Sequence, residues 1–79
     1  MDKAIYTEDH RRLSALLRSL REQAGLRQVD VAEALEVPQS FVSKYETGER
    51  RLDLVELRQV SKVLGLELAD LVAQFDGES

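Results

Sequence analysis

Apolar residues recur along this chain at the three-and-four spacing of amphipathic helices, and no stretch alternates as a strand does. Leu13, Leu16, Leu17, Leu20 and Ala24 form one stripe, predicting a helix over residues 8–24. Thr7 is a candidate cap at its start, and Gly25 a candidate stop, because glycine tolerates the left-handed conformation that ends helices. Val31, Ala32 and Leu35 predict a second, short helix at 28–35. Pro38 fits a helix start and not a helix interior, so a third helix follows at 39–46, with Phe41, Val42 and Tyr45 as its apolar side. The polar segment "TGERR" at 47–51 is a loop. Asp53 and Glu56 have capping-box spacing and open a fourth helix at 53–64, carried by Leu54, Leu57, Val60, Val63 and Leu64 and stopped by Gly65. Leu68, Leu71, Val72 and Phe75 give a fifth at 68–75. The fold class is therefore all-α, five short helices. Residues 1–7 are expected as an N-terminal arm and 76–79 as a frayed tail.

The two short helices in the middle raise a geometric question. Only "EVPQ" separates them, and both are short, where a plain hairpin of helices would give each more length. A small residue, Ala32, lets two helices approach where they cross steeply, as in a helix-turn-helix. Val42 then fills the angle from the other side, with Val31, Leu35, Val37 and Tyr45 completing the inner surface. That leaves Gln39, Ser40, Ser43 and Lys44 on the free side of the third helix. Their amide, hydroxyl and ammonium groups are the donors and acceptors that read base edges in a major groove.

Composition narrows the function classes. At 79 residues there is room for one core. Hydrophobic residues make up 43% and charged residues 33%, unlike a disordered chain. No apolar run approaches the ~20 residues of a bilayer span, so no membrane role is expected. The N-terminal "MDKAIYTEDH" does not read as a secretory signal. With no cysteine and one histidine, His10, disulfides are excluded and neither a metal nor another cofactor is expected; a reducing cytoplasm, near the nucleoid, suits the chain. Asp30, Glu33, Glu46 and Glu49 have no nucleophile or metal partner in the pattern, so an enzyme is not expected. The net charge of −4 is unevenly spread. Residues 1–51 carry nine basic and nine acidic side chains, and residues 52–79 carry two basic and six acidic. The acidity belongs to the last third and leaves room for a basic patch earlier.

Several motifs occur together in order: "LREQAGLRQ", Ala32, Val42, "SKYETGER" and "LGLELADL". Over roughly residues 13–71 the chain resembles the DNA-binding domain of lambda repressor and Cro-type helix-turn-helix regulators. The resemblance implies a helix-turn-helix at about 28–45, and a double-stranded DNA operator as partner. It implies base contacts from Gln39, Ser40, Ser43 and Lys44, and phosphate contacts from Gln28, Arg27, Arg50 and Arg51. Arg21 and Glu46 match a structural ion pair between the first and third helices. It further implies a homodimer on a pseudo-palindromic operator, with part of the strip Leu68, Leu71, Val72 and Phe75 at the dimer interface. A transcriptional repressor is the main expectation. A restriction–modification controller, an antitoxin bound by a toxin protein, and a regulator touching RNA polymerase share the same build. A protein–protein adaptor that has lost DNA binding is the alternative of a different class. Three positions depart from the family pattern. Glu36 stands at a turn position usually held by glycine, Arg27 where a hydroxyl cap is common, and Glu49 puts a negative charge in the loop that faces the DNA backbone.

Overall fold

The computed structural model describes residues 3–77. Its five helices are α1 (Lys3–Gln23), α2 (Gln28–Leu35), α3 (Gln39–Thr47), α4 (Leu54–Val63) and α5 (Leu68–Gly77). Among the described residues every regular element is helical.

The punctuation read from the sequence acts as its chemistry requires at most ends. After α1, Gly25 adopts φ +76°, and the N–H of Leu26 reaches back to the carbonyl of Arg21 at 3.1 Å. Asp53 caps α4 by accepting from the Glu56 N–H at 2.7 Å, while the Glu56 carboxylate accepts from the Asp53 N–H at 3.0 Å. These reciprocal bonds satisfy two donors that a helix start otherwise leaves open. The beginning of α1 differs from expectation. The helix already runs from Lys3, so residue 7 lies inside it and is not its cap, and residues 3–7 are not an arm. At the other end α5 continues through Gly77, so 76 and 77 are helical, while 78 and 79 of the expected tail lie outside the described residues.

Each helix sends a short apolar stripe to a shared core. Leu17 and Leu20 come from α1, Val31 and Ala32 from α2, Val42 and Tyr45 from α3, Val60 from α4 with Leu64 just after it, and Leu71 from α5. Val31 and Val42 are fully buried and Ala32 nearly so, which places the α2–α3 corner against the centre of the molecule. The Phe41 and Tyr45 rings meet edge to face, 5.9 Å between centroids and 84° between planes. That geometry suits their quadrupoles. Burial also raises the Tyr45 phenol above its ordinary range. The consequence of this packing is that α3, only nine residues long, is anchored along one side and open along the other.

Candidate DNA interface

At 100° per residue, Gln39, Ser40, Ser43, Lys44 and Thr47 fall within about 140° of the α3 circumference, opposite Phe41, Val42 and Tyr45. Gln39, Ser40, Lys44 and Thr47 are exposed and Ser43 is half-buried. The structure thus gathers the four base-contact candidates on one face. Thr47 joins them, a hydroxyl that the sequence reading passed over as loop; its Oγ1 donates to the Lys44 carbonyl at 3.2 Å.

One edge of this face is tied into the fold by a chain of polar contacts. Glu46, whose side chain is only 2% exposed, accepts from Arg21 Nε at 2.7 Å and from Arg21 Nη2 at 3.1 Å. Arg21 Nη1 donates to the Leu26 carbonyl at 2.8 Å, so α1, the α1–α2 turn and α3 share one guanidinium. The hydrogen bond to Glu46 is the main reason Arg21 is held above its ordinary pKa, against the opposing effect of burial. Glu46 Oε1 also accepts from Gln28 Nε2 at 3.0 Å. Gln28 Oε1 in turn accepts from Gln39 Nε2 at 3.3 Å. A buried charge pair needs this kind of saturation, because desolvation otherwise outweighs its Coulombic attraction.

The basic residues expected at phosphates are placed differently from one another. Arg27 lies at the start of α2 and is exposed, but its guanidinium grips the Asp30 carboxylate at 2.9 and 3.1 Å. Asp30 also accepts from the Arg27 backbone N–H at 2.8 Å, so the helix end is served by a carboxylate three residues on rather than by a hydroxyl at the cap position. The Arg27 guanidinium and then its backbone N–H are the leading causes that lower the Asp30 carboxyl to about 2. An exposed pair of this kind is weak and exchangeable.

Arg50, also expected at a phosphate, is held by contacts within the fold. Its Nη1 and Nη2 clasp both Glu56 oxygens at 3.1 and 2.9 Å, Nη1 also donates to the Arg51 carbonyl, and the guanidinium stacks 4.3 Å above the Phe41 ring. Arg50 therefore fastens the α3–α4 loop onto both helices. Arg51 is exposed. The Glu56 carboxyl is correspondingly lowered, first by the Arg50 guanidinium and then by the Asp53 N–H.

The strip on α5 also divides. Leu71 is 1% exposed inside this single chain, which removes it from any partner surface. Phe75 is half-covered by Arg12, which lies 4.4 Å over its ring and donates from Nη2 to its carbonyl at 2.6 Å. Leu68 packs against the core, and Val72 is left 47% exposed. Leu54 and Val55, at the first turn of α4, are more open still, 67% and 68% exposed. Helical spacing had assigned Leu54 to the buried side of α4, whereas the first turn projects past the core.

Glu36 adopts φ +62° and ψ +45°, the left-handed conformation for which glycine is usual. The N–H of Glu36 reaches the Glu33 carbonyl at 3.1 Å, and the N–H of Val37 reaches that of Ala32 at 3.0 Å. This pair of bonds is the Schellman closure of a helix C-terminus. The turn geometry of the helix-turn-helix is therefore kept although its glycine is absent.

With this corner in place, comparison with known proteins becomes decisive. The model of a helix-turn-helix domain family matches residues 12–75. The chain belongs to this family. No curated protein sequence matches it. Among solved structures it is similar to an XRE-family-like protein from Pseudomonas syringae pv. tomato, at 35% identity and TM-score 0.88, over 98% of this chain and 94% of that one. It is similar also to the clp gene regulator ClgR from Corynebacterium glutamicum, at 30% identity and TM-score 0.78, over 89% of this chain and 91% of that one. The restriction–modification controller protein C.Esp1396I shares the fold at TM-score 0.81 with 21% identity, over 89% of each chain. The helix-turn-helix domain is thus of the Cro and lambda repressor type. Among the described residues no helix is long and apolar enough to cross a membrane.

Proposed function

We propose that this chain is a sequence-specific regulator of transcription that lays α3 into the major groove of an operator and acts there as a homodimer, repressing by occupancy. The observation that carries this reading is the outward row Gln39, Ser40, Ser43 and Lys44 on a helix whose opposite side is fixed in the core. Gln28 and Arg27, at the N-terminus of α2, supply phosphate contacts where backbone N–H groups already favour an anion. Arg51 adds a further contact from the α3–α4 loop. That ClgR is a regulator of clp genes supports a regulatory role for a chain 30% identical to it. Two-fold symmetry would set two reading helices about 34 Å apart, matching half-sites one turn of DNA apart. It would also double the contacts, which a chain of net charge −4 needs. Val72 on α5 is the member of the expected strip that remains open to such a partner.

The test is fluorescence anisotropy against duplexes selected from a randomised pool, at two salt concentrations. Sequence-selective binding that weakens steeply with salt, and that Gln39→Ala and Lys44→Ala each weaken, with loss of preference at the base each reads and without loss of helicity, is the expected result. Binding that favours no sequence would refute the reading, and no salt-sensitive binding to any duplex would favour the adaptor instead.

A further inference from the structure

The Arg21–Glu46 pair does more than brace α1 against α3. We infer that the Glu46 carboxylate determines which base Gln39 accepts, by fixing through Gln28 the direction in which the Gln39 carboxamide presents its donor and its acceptor. The inference rests on the DNA-reading role proposed above and names a positioning residue within that site.

Its basis is proton inventory. An ionised carboxylate only accepts, whereas a glutamine amide has a donating end and an accepting end that can exchange by a half-turn. Glu46 is 2% exposed and clasped by Arg21, so the group facing Gln28 is an acceptor at a fixed place. Gln28 must therefore turn its Nε2 to Glu46, as it does at 3.0 Å. That leaves Gln28 Oε1 pointing at Gln39, where only a donor is tolerated, and Gln39 Nε2 fills the position at 3.3 Å. A reversed Gln39 would set carbonyl against carbonyl.

The ends of the chain remain free for DNA. Gln28 keeps one N–H for a phosphate oxygen. Gln39 keeps one N–H and its whole Oε1, side by side and in a known order. One donor beside one acceptor matches the N7 acceptor and N6 donor of adenine, while guanine offers two acceptors, N7 and O6, and would oppose the Gln39 carbonyl. Position on the helix agrees: Glu46 lies only about 20° around α3 from Gln39, seven residues along, at the margin of the exposed face. Ser40 and Lys44 lie further round and take no part in the chain, so their preferences are independent of it.

The experiment begins with the duplex that the wild-type protein selects from a randomised pool. Each adenine is replaced in turn by guanine and affinities are read by anisotropy; the preference that Gln39→Ala removes marks the base beneath Gln39. At that base the wild type should favour adenine by roughly tenfold or more. Arg21→Lys, which keeps the carboxylate and a positive charge, should retain the preference. Glu46→Gln, whose amide can face Gln28 either way, should reduce it to about twofold while the preferences at other bases persist. Should Glu46→Gln lose its helical circular dichroism, the double variant Arg21→Met with Glu46→Leu removes the acceptor without stranding a charge, and the same loss is expected there. An unchanged adenine preference in the folded variant lacking Glu46, or an equal decline at every base, would overturn the inference. So would a selected base other than adenine beneath Gln39. Failure of the wild type to select any sequence is a separate result, because it refutes the DNA-reading role itself.

Discussion

Replacing Glu36 with glycine should make this domain more stable, although it removes every atom of an existing side chain. Glu36 sits at φ +62° because the turn between α2 and α3 demands it, and an L-residue there is disfavoured by about 1–2 kcal/mol. Its charge also stands at the C-terminal, negative end of α2, unfavourable by about 0.3–1 kcal/mol. Against these, glycine loses about 0.5–1 kcal/mol more conformational entropy on folding. The balance favours Glu36→Gly by roughly 1 kcal/mol, which for a domain of this size is a rise of about 4–8 °C in melting temperature. Glu36→Gln separates the two contributions, since it removes the charge and keeps the strained backbone. Thermal melts followed by circular dichroism should rank glycine above glutamine and glutamine at or slightly above the wild type. If glycine proves no more stable than glutamine, the left-handed turn carries no strain and the reasoning fails.

Arg50→Ala should lower the melting temperature by freeing the loop from Glu56 and Phe41, yet leave the dependence of DNA affinity on salt unchanged; a true phosphate contact would instead reduce that slope by about one. The Asp30 carboxyl, depressed from the ordinary 3.8 to about 2, stabilises the fold fully above the higher value and loses that contribution as pH falls through the lower one. Acid titration of stability should therefore fall more steeply between about pH 4 and pH 2 in the wild type than in Asp30→Asn, and parallel curves would contradict the Arg27 contacts. Leu54→Ser with Val55→Ser should barely alter the melting temperature, because both side chains lie in solvent; a large loss at high protein concentration alone would reveal that they are covered by association.

Much of the fold was legible because this chain marks its helix boundaries with residues of one meaning. Pro38 cannot continue a helix, Gly25 adopts a positive φ, and Asp53 with Glu56 closes a capping box, so the α2–α3 corner could be placed to the residue. The start of α1 could not, since nothing between Lys3 and Thr7 punctuates the chain and the threonine signal pointed to a later beginning. Periodicity also told which positions on α5 were apolar without telling what covers them. Leu71 turned out to be covered by the chain's own core and Phe75 by Arg12. The face of α3 was readable from spacing alone, but Arg50 was not. Its partners Phe41 and Glu56 lie on two different helices, and only the path of the loop brings all three together. The contact of Gln28 with Gln39 and Glu46 spans eleven and eighteen residues and has the same cause.

The division of α3 into a buried and an open side bears on how such a regulator can diversify. Ser40, Lys44 and Thr47 are exposed, so on the DNA-reading role proposed above a lineage can try new operators at these positions with little risk of unfolding. Gln39 is different, since changing it disturbs a chain of contacts that ends on a buried charge. If α3 reads DNA as proposed, a duplicated copy of this gene would retarget most easily at the bases facing the free positions, and the base facing Gln39 would be the last to change.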